Sequence, residues 1–268
     1  MEPVTAQGCD VYYEYYDRSA GSVPILLIHP AGATSSTWGP ALDKLADLGA
    51  VIAYDRRGYA RTGGPPVHSM ETHTHDAATI LEHLGMPPAA VVGTSAGAAI
   101  AVNLVVRRPD LVRVVVAHEF PWQLTRHLPA ISQITTAAKM GALTLCGRHA
   151  DAADVLLRAA YAYRDGGTAW DAFPEEWHQI ARDNAKPALA DFRNSIRNHP
   201  TRTELAAVEV PVVCTYGSRS PTWMIHLVQT LGATIPTGRT LELEGAGHAA
   251  PFDATTKFVE VVADAIST

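Results

Sequence analysis

Residues 89–107 read Ala-Ala-Val-Val-Gly-Thr-Ser-Ala-Gly-Ala-Ala-Ile-Ala-Val-Asn-Leu-Val-Val-Arg, with Gly93, Ser95 and Gly97 at the centre. The stretch opens as a short apolar run with β-branched side chains, as a strand buried on both faces does. It closes as an alanine-rich segment long enough for a helix. Between them, Gly93-Thr94-Ser95-Ala96-Gly97 is a G-x-S-x-G pentapeptide in the strand–turn–helix setting that a nucleophile elbow requires. So sharp a turn crowds Ser95 against neighbouring backbone, and a glycine two residues to either side relieves the crowding. The Ala96 N–H then lies at a helix N-terminus, where it favours developing negative charge. The stretch could be mistaken for a membrane span, but Gly93, Thr94, Ser95, Gly97 and Asn103 interrupt it, so no membrane role is expected.

Outward from this segment, apolar runs at 9–16, 25–29, 51–55, 112–118, 210–216 and 239–244 alternate with helical patterns at 38–48, 71–84, 222–231 and 252–266. Such alternation predicts an α/β fold, a mostly parallel sheet flanked by helices. The alternation breaks between about 122 and 203, where 152–163 and 174–184 have helical periods and no strand stands out. The expected organisation is therefore a core of 1–121 and 204–268 with a helical lid inserted at 122–203, over the ligand edge of the sheet.

Composition narrows the function classes. The 268 residues are 47% apolar and 18% charged, with a net charge of −6. No basic stripe is available to neutralise phosphates, so a nucleic-acid partner is not expected. Cys9, Cys146 and Cys214 are far apart and odd in number, which suits a reducing compartment better than a disulfide framework. The first eighteen residues have no apolar run after a basic start, and a cytoplasmic location is expected. A second copy in a homodimer is the one macromolecular partner left open.

A nucleophilic serine needs a base. Gly245-Ala246-Gly247-His248 follows the last strand and precedes the last helix, a loop at the carboxyl edge of the sheet from which His248 can take the proton of Ser95. Ile28-His29-Pro30-Ala31-Gly32 closes the first long buried strand, and that loop supplies a second oxyanion donor in this type of site. Pro30 has no N–H, which leaves the Ala31 N–H. The acid is harder to place. After the strand at 210–216 comes Gly217-Ser218-Arg219-Ser220-Pro221, without a carboxylate where one is usual. The next strand end on that edge carries Glu119, in the order Ser95, Glu119, His248 that the fold prescribes. Glu244 and Asp253 are the alternatives, close to His248 in sequence. Asp55, at another strand end, reads as a residue that fixes a loop.

With these pieces in place, HPAGATSSTW, YDRRGYARTG, GTSAG and GAGHAAPF resemble the α/β-hydrolase superfamily over nearly the whole chain. AHEFP at 117–121 together with GSRSP at 217–221 resembles a narrower subgroup that includes lactone hydrolases acting on zearalenone, in which the acid is a glutamate at the place of Glu119. The resemblance implies ester or lactone hydrolysis through an acyl-enzyme, with no metal or cofactor. The His29-Pro30 pair departs from the more usual His-Gly.

Lid aromatics Trp122, Tyr161, Tyr163, Trp170, Phe173, Trp177 and Phe192 either line an apolar pocket or pack the lid, and Trp122 and Trp177 are the two expected to face substrate. His68, His73, His75 and His83 have poor metal-ligand spacing and read as solvated helix-face residues. The expected activity is a cofactor-free serine hydrolase acting on an apolar ester or lactone, macrocyclic or aromatic. The alternatives are a lyase, cyclase or C–C-bond hydrolase on a polyketide-like substrate, or a ligand-binding protein with slow turnover.

Overall fold

Alternating side chains of a strand face opposite ways, so a strand covered on both sides must be apolar at every position. The computed structural model, which describes residues 2–18, 23–120, 122, 131–197 and 199–268 (side chains of 131–132 and 195–197 excepted), shows this directly. Its strands are β1 (Val4–Ala6), β2 (Cys9–Val11), β3 (Tyr13–Tyr16), β4 (Ile25–Ile28), β5 (Val51–Tyr54), β6 (Ala89–Thr94), β7 (Val112–His118), β8 (Val212–Gly217) and β9 (Gly238–Leu243). In β4, Leu26 and Ile28 join one apolar cluster while Ile25 and Leu27 join the other. In β6, Val91 faces the first cluster and Ala90 and Val92 the second. The two clusters are the cores on the two faces of one sheet.

Seven strands form that sheet among the described residues, in the order β3-β5-β4-β6-β7-β8-β9. Only β3, at the edge, runs antiparallel. The chain moves one way from β4 to β5, then returns past β4 to lay down β6. That reversal opens a crevice at the carboxyl ends of β4 and β6, where open α/β sheets bind ligands. Pairing of β6 with β7 shifts register between Ala89 and Ala90, opposite the exposed Arg113. Val112 and Val115 consequently share one face although they are three apart.

The helices are α1 (Pro40–Ala46), α2 (Met70–His83), α3 (Ala96–Arg107), α4 (Ile131–Leu145), α5 (His149–Ala160), α6 (Glu175–Asp183), α7 (Ala185–Arg197), α8 (Arg202–Ala206), α9 (Thr222–Thr234), α10 (Ala250–Asp253) and α11 (Thr255–Ser267). No helix among the described residues is long and apolar enough to cross a membrane. Helices α4 to α8 occupy the connection between β7 and β8, which has only an isolated bridge, Ala162 to Thr168, among its described residues.

Three local readings differ from expectation. The run at 9–16 is two strands, because β2 turns back on β1 through Gln7 and Gly8, both at positive φ (45° and 75°). Those are the angles of a type I′ hairpin turn, which Gln-Gly signals more weakly than Asn-Gly. The pattern at 38–48 begins later, at Pro40, after a short 3-10 turn over Ser35–Trp38. The last helical pattern is two helices, α10 and α11, broken at Ala254 (φ −139°, ψ 48°).

Candidate active site

The glycines around Ser95 are fixed by space. A Cβ on Gly97 would stand 2.0 Å from the Ile28 carbonyl oxygen, and one on Gly93 would stand 2.3 Å from the Gly97 carbonyl oxygen. Any side chain there would drive α3 off β4. The turn leaves Ser95 half-buried at the N-terminus of α3 with φ 53° and ψ −117°, a conformation L-residues rarely adopt. Its N–H is held by the His118 carbonyl oxygen at 2.8 Å.

Glu119 stands one strand over, immediately after β7, and it too has a positive φ, 50°. Its N–H donates to the Thr215 carbonyl oxygen at 3.0 Å. The fully buried side chain meets His248, whose Nδ1–H donates to Oε2 at 2.6 Å. The second oxygen, Oε1, accepts from the Gly217 N–H at 3.0 Å and from the Ser220 hydroxyl. Burial alone would push the Glu119 carboxyl up, but the His248 hydrogen bond and the nearby His118 hold it down to about 2, so it stays a carboxylate. The segment Gly217 to Ser220, which carries no acid of its own, thus supplies the donors that seat the acid from the neighbouring strand.

His118 holds the histidine loop from below. Its Nε2–H donates to the Gly247 carbonyl oxygen at 3.1 Å, and its Nδ1 receives the Thr215 hydroxyl at 3.0 Å. Desolvation lowers the pKa of this fully buried ring, and the neighbouring Glu119 charge works against that shift. The two other carboxylates near His248 in sequence are engaged elsewhere. Asp253 accepts from the Gly247 N–H at 3.0 Å and the Tyr163 hydroxyl at 2.9 Å, whereas exposed Glu244 pairs with Lys257 at 2.8 Å. Asp55 is buried and takes the Ser35 N–H at 2.9 Å and Arg61 Nε at 2.8 Å, which ties two loops together.

His248 is 6% exposed and forms one side of a cleft open to solvent. Ala31 and Thr94 border the cleft, and its walls are aromatic: Tyr161, Trp170, Phe173, Trp177 and Phe252. The Tyr161 ring stands edge-on to His248, with centroids 5.4 Å apart. Ala96, the other expected oxyanion donor, is the first residue of α3 beside Ser95.

Trp177 lines the cleft, and Trp122 does not. Trp122 is wholly buried in the core beneath the sheet, with its indole N–H on the Pro200 carbonyl oxygen at 3.0 Å. It was expected to face substrate, but its side chain completes the core instead. His73 is also misread. It is buried on α2 with Nε2 3.6 Å from Asp191, while His68, His75 and His83 are exposed. Among the described residues no group of three or more metal-ligating side chains comes together. Ser220 and His118 were missed, since their roles depend on pairing between neighbouring strands that no local pattern signals.

Residues 25–261 match the model of the alpha/beta hydrolase family. Among curated relatives, "2-(acetamidomethylene)succinate hydrolase" of Mesorhizobium japonicum is 32% identical over 191 residues, covering 66% of this chain and 69% of that protein. An uncharacterized hydrolase, YraK of Bacillus subtilis, is 34% identical over 115 residues, and the chain spans 41% of its length. Among solved structures, the enol-lactonase of Burkholderia xenovorans LB400 superposes with a TM-score of 0.78 at 20% identity, over 98% of both chains. "Est816 as an N-Acyl homoserine lactone degrading enzyme" gives 0.76 at 20% identity, over 97% of this chain and 98% of that one.

Proposed function

Because this chain belongs to the alpha/beta hydrolase family, we propose that it is a serine hydrolase that cleaves an apolar ester or lactone through an acyl-enzyme. The observation that carries the reading is the 2.6 Å hydrogen bond from His248 Nδ1–H to a buried, ionised Glu119, on the sheet edge that also presents the strained Ser95. With Nδ1 committed to the carboxylate, Nε2 is the free base of the ring. Ser95 Oγ attacks the substrate carbonyl carbon, and its proton passes to His248 Nε2. The resulting oxyanion takes hydrogen bonds from the Ala31 and Ala96 N–H groups. The carbon–oxygen bond to the leaving alcohol breaks as His248 returns the proton to it. Water then adds to the acyl-enzyme by the same route and releases the acid.

Aromatic walls suit an acyl part that is itself aromatic or a large apolar ring. The names of two of the relatives and the likeness of AHEFP and GSRSP to zearalenone-type enzymes favour lactones as the first class to try. The test is hydrolysis of p-nitrophenyl esters and macrocyclic lactones by the protein and by Ser95→Ala. A burst of p-nitrophenol that Ser95→Ala abolishes is expected. Turnover that survives in Ser95→Ala would overturn the assignment.

A further inference from the structure

His29 and Arg56 converge on one carbonyl. His29 Nδ1–H donates to the Pro30 oxygen at 2.8 Å, and Arg56 Nη2–H donates to the same oxygen at 3.1 Å. The His29 ring is fixed in that tautomer, because its Nε2 receives the Arg56 backbone N–H at 3.1 Å. Arg56 is itself wholly buried, and its Nη2 reaches Asp191 at 2.6 Å. Asp191 sits on α7, in the helical connection between β7 and β8, and also receives the Tyr59 hydroxyl. His73 closes the far side of the carboxylate at 3.6 Å. Nothing in the chemistry proposed above uses this buried cluster.

The geometry of one peptide unit connects it to the reaction. The Pro30–Ala31 bond is trans, as all peptide bonds of the described residues are, so its N–H points opposite to its C=O. Fixing the Pro30 oxygen on the Arg56 side therefore aims the Ala31 N–H the other way, and Ala31 borders the cleft that His248 also lines. We infer that the Arg56–Asp191 pair is a positioning device that holds the Ala31 N–H at the oxyanion, so that a helix of the inserted segment sets the geometry of a core catalytic loop. This rests on Ala31 serving as the oxyanion donor of the proposed hydrolase. It accounts for how a loop with proline in place of the usual glycine keeps a defined conformation: three buried donors and one carboxylate replace what the backbone alone would have to hold.

Removing one charge alone would leave the other buried and unpaired and could unfold the protein. The informative variant is therefore the double replacement Arg56→Met with Asp191→Leu, because a buried pair replaced by apolar groups of similar volume usually retains stability. With the fold retained by circular dichroism and melting temperature, kcat for p-nitrophenyl acetate should fall by about ten- to a hundred-fold, as when an oxyanion donor is misaimed. KM should stay within about twofold, and affinity for an alkylboronic acid, which forms a tetrahedral adduct, should fall in step with kcat. In the 15N-alanine-labelled protein, the Ala31 amide resonance should move while that of Ala99, deep in α3, stays. Wild-type kcat in the folded double variant, or an unmoved Ala31 amide, would overturn the inference. If the wild-type protein hydrolyses no ester at all, the hydrolase reading fails, and the Ala31 resonance by itself still decides the positioning.

Discussion

Replacing Glu119 by glutamine changes one atom's chemistry in a site with few alternatives. The carboxylate accepts on both oxygens: His248 Nδ1–H on one side, the Gly217 N–H and Ser220 hydroxyl on the other. An amide has one acceptor and one donor end. The Gly217 N–H can only donate, so it claims the amide oxygen, and the amide NH₂ is left facing His248 Nδ1. That arrangement accepts a hydrogen bond at Nδ1 and places the ring proton on Nε2, where the base must be free. Loss of the right tautomer in a triad of this kind costs about 10³–10⁴ in kcat, or about 4–5.5 kcal/mol of barrier. A second loss acts on stability. Glu119 is fully buried and held from its ordinary 4.5 to about 2, a stabilisation of about 3 kcal/mol that the neutral amide cannot have. The assay is steady-state hydrolysis of p-nitrophenyl butyrate between pH 6 and 9, with urea unfolding in parallel. A folded Glu119→Gln with kcat within tenfold of wild type would refute the reasoning, and the orienting acid would have to be sought elsewhere.

The same carboxylate makes an acid-stability prediction. Its pKa is depressed in the folded state, so its contribution is whole above about 4.5 and is lost as the pH falls toward about 2; Asp191, held low against burial by Arg56, acts in the same direction. The urea midpoint should drop steeply over that window, and in Glu119→Gln the drop should be shallower. Gly97→Ala should destabilise by about 3 kcal/mol or more, measured by urea unfolding, because its Cβ would meet the Ile28 carbonyl at 2.0 Å. The two tryptophans should separate cleanly. Trp177→Ala is expected to raise KM for aromatic esters with little change in melting temperature, whereas Trp122→Ala should cost about 3–5 kcal/mol of stability and leave the KM of the surviving folded enzyme near wild type.

What could be read from the sequence was what local chemistry dictates. The run from Ala89 to Arg107 states its strand, turn and helix because burial on both faces and the elbow's glycines leave visible marks, and α3 begins and ends where its pattern does. Glu119 emerged from the missing acid at Gly217–Pro221 and the order of strands. Its positive φ, by contrast, depends on how the chain leaves β7, and no residue type announces it. Trp122 shows the limit from the other side. Its direction depends on which core it completes, and apolar character fits a cleft wall as well as a core. The networks around Ser220, His118 and Asp191 join residues 97 to 135 positions apart, a separation at which sequence spacing holds no information about contact.

Asp191 has one more implication, for recombination. A segment bounded by two strands looks portable, and exchanging the connection between β7 and β8 among related enzymes is an obvious way to change selectivity. Here that connection carries the counter-ion of Arg56 on α7, and the Tyr163 ring lies where a side chain on Gly247 would fall. A transplanted segment lacking an acid at position 191 would strand a buried guanidinium beside the oxyanion loop. Chimeras should therefore inherit Arg56 and Asp191 as a unit, together with Tyr163 and Gly247, and libraries that vary only the cleft aromatics should tolerate exchange far better than those that swap whole helices.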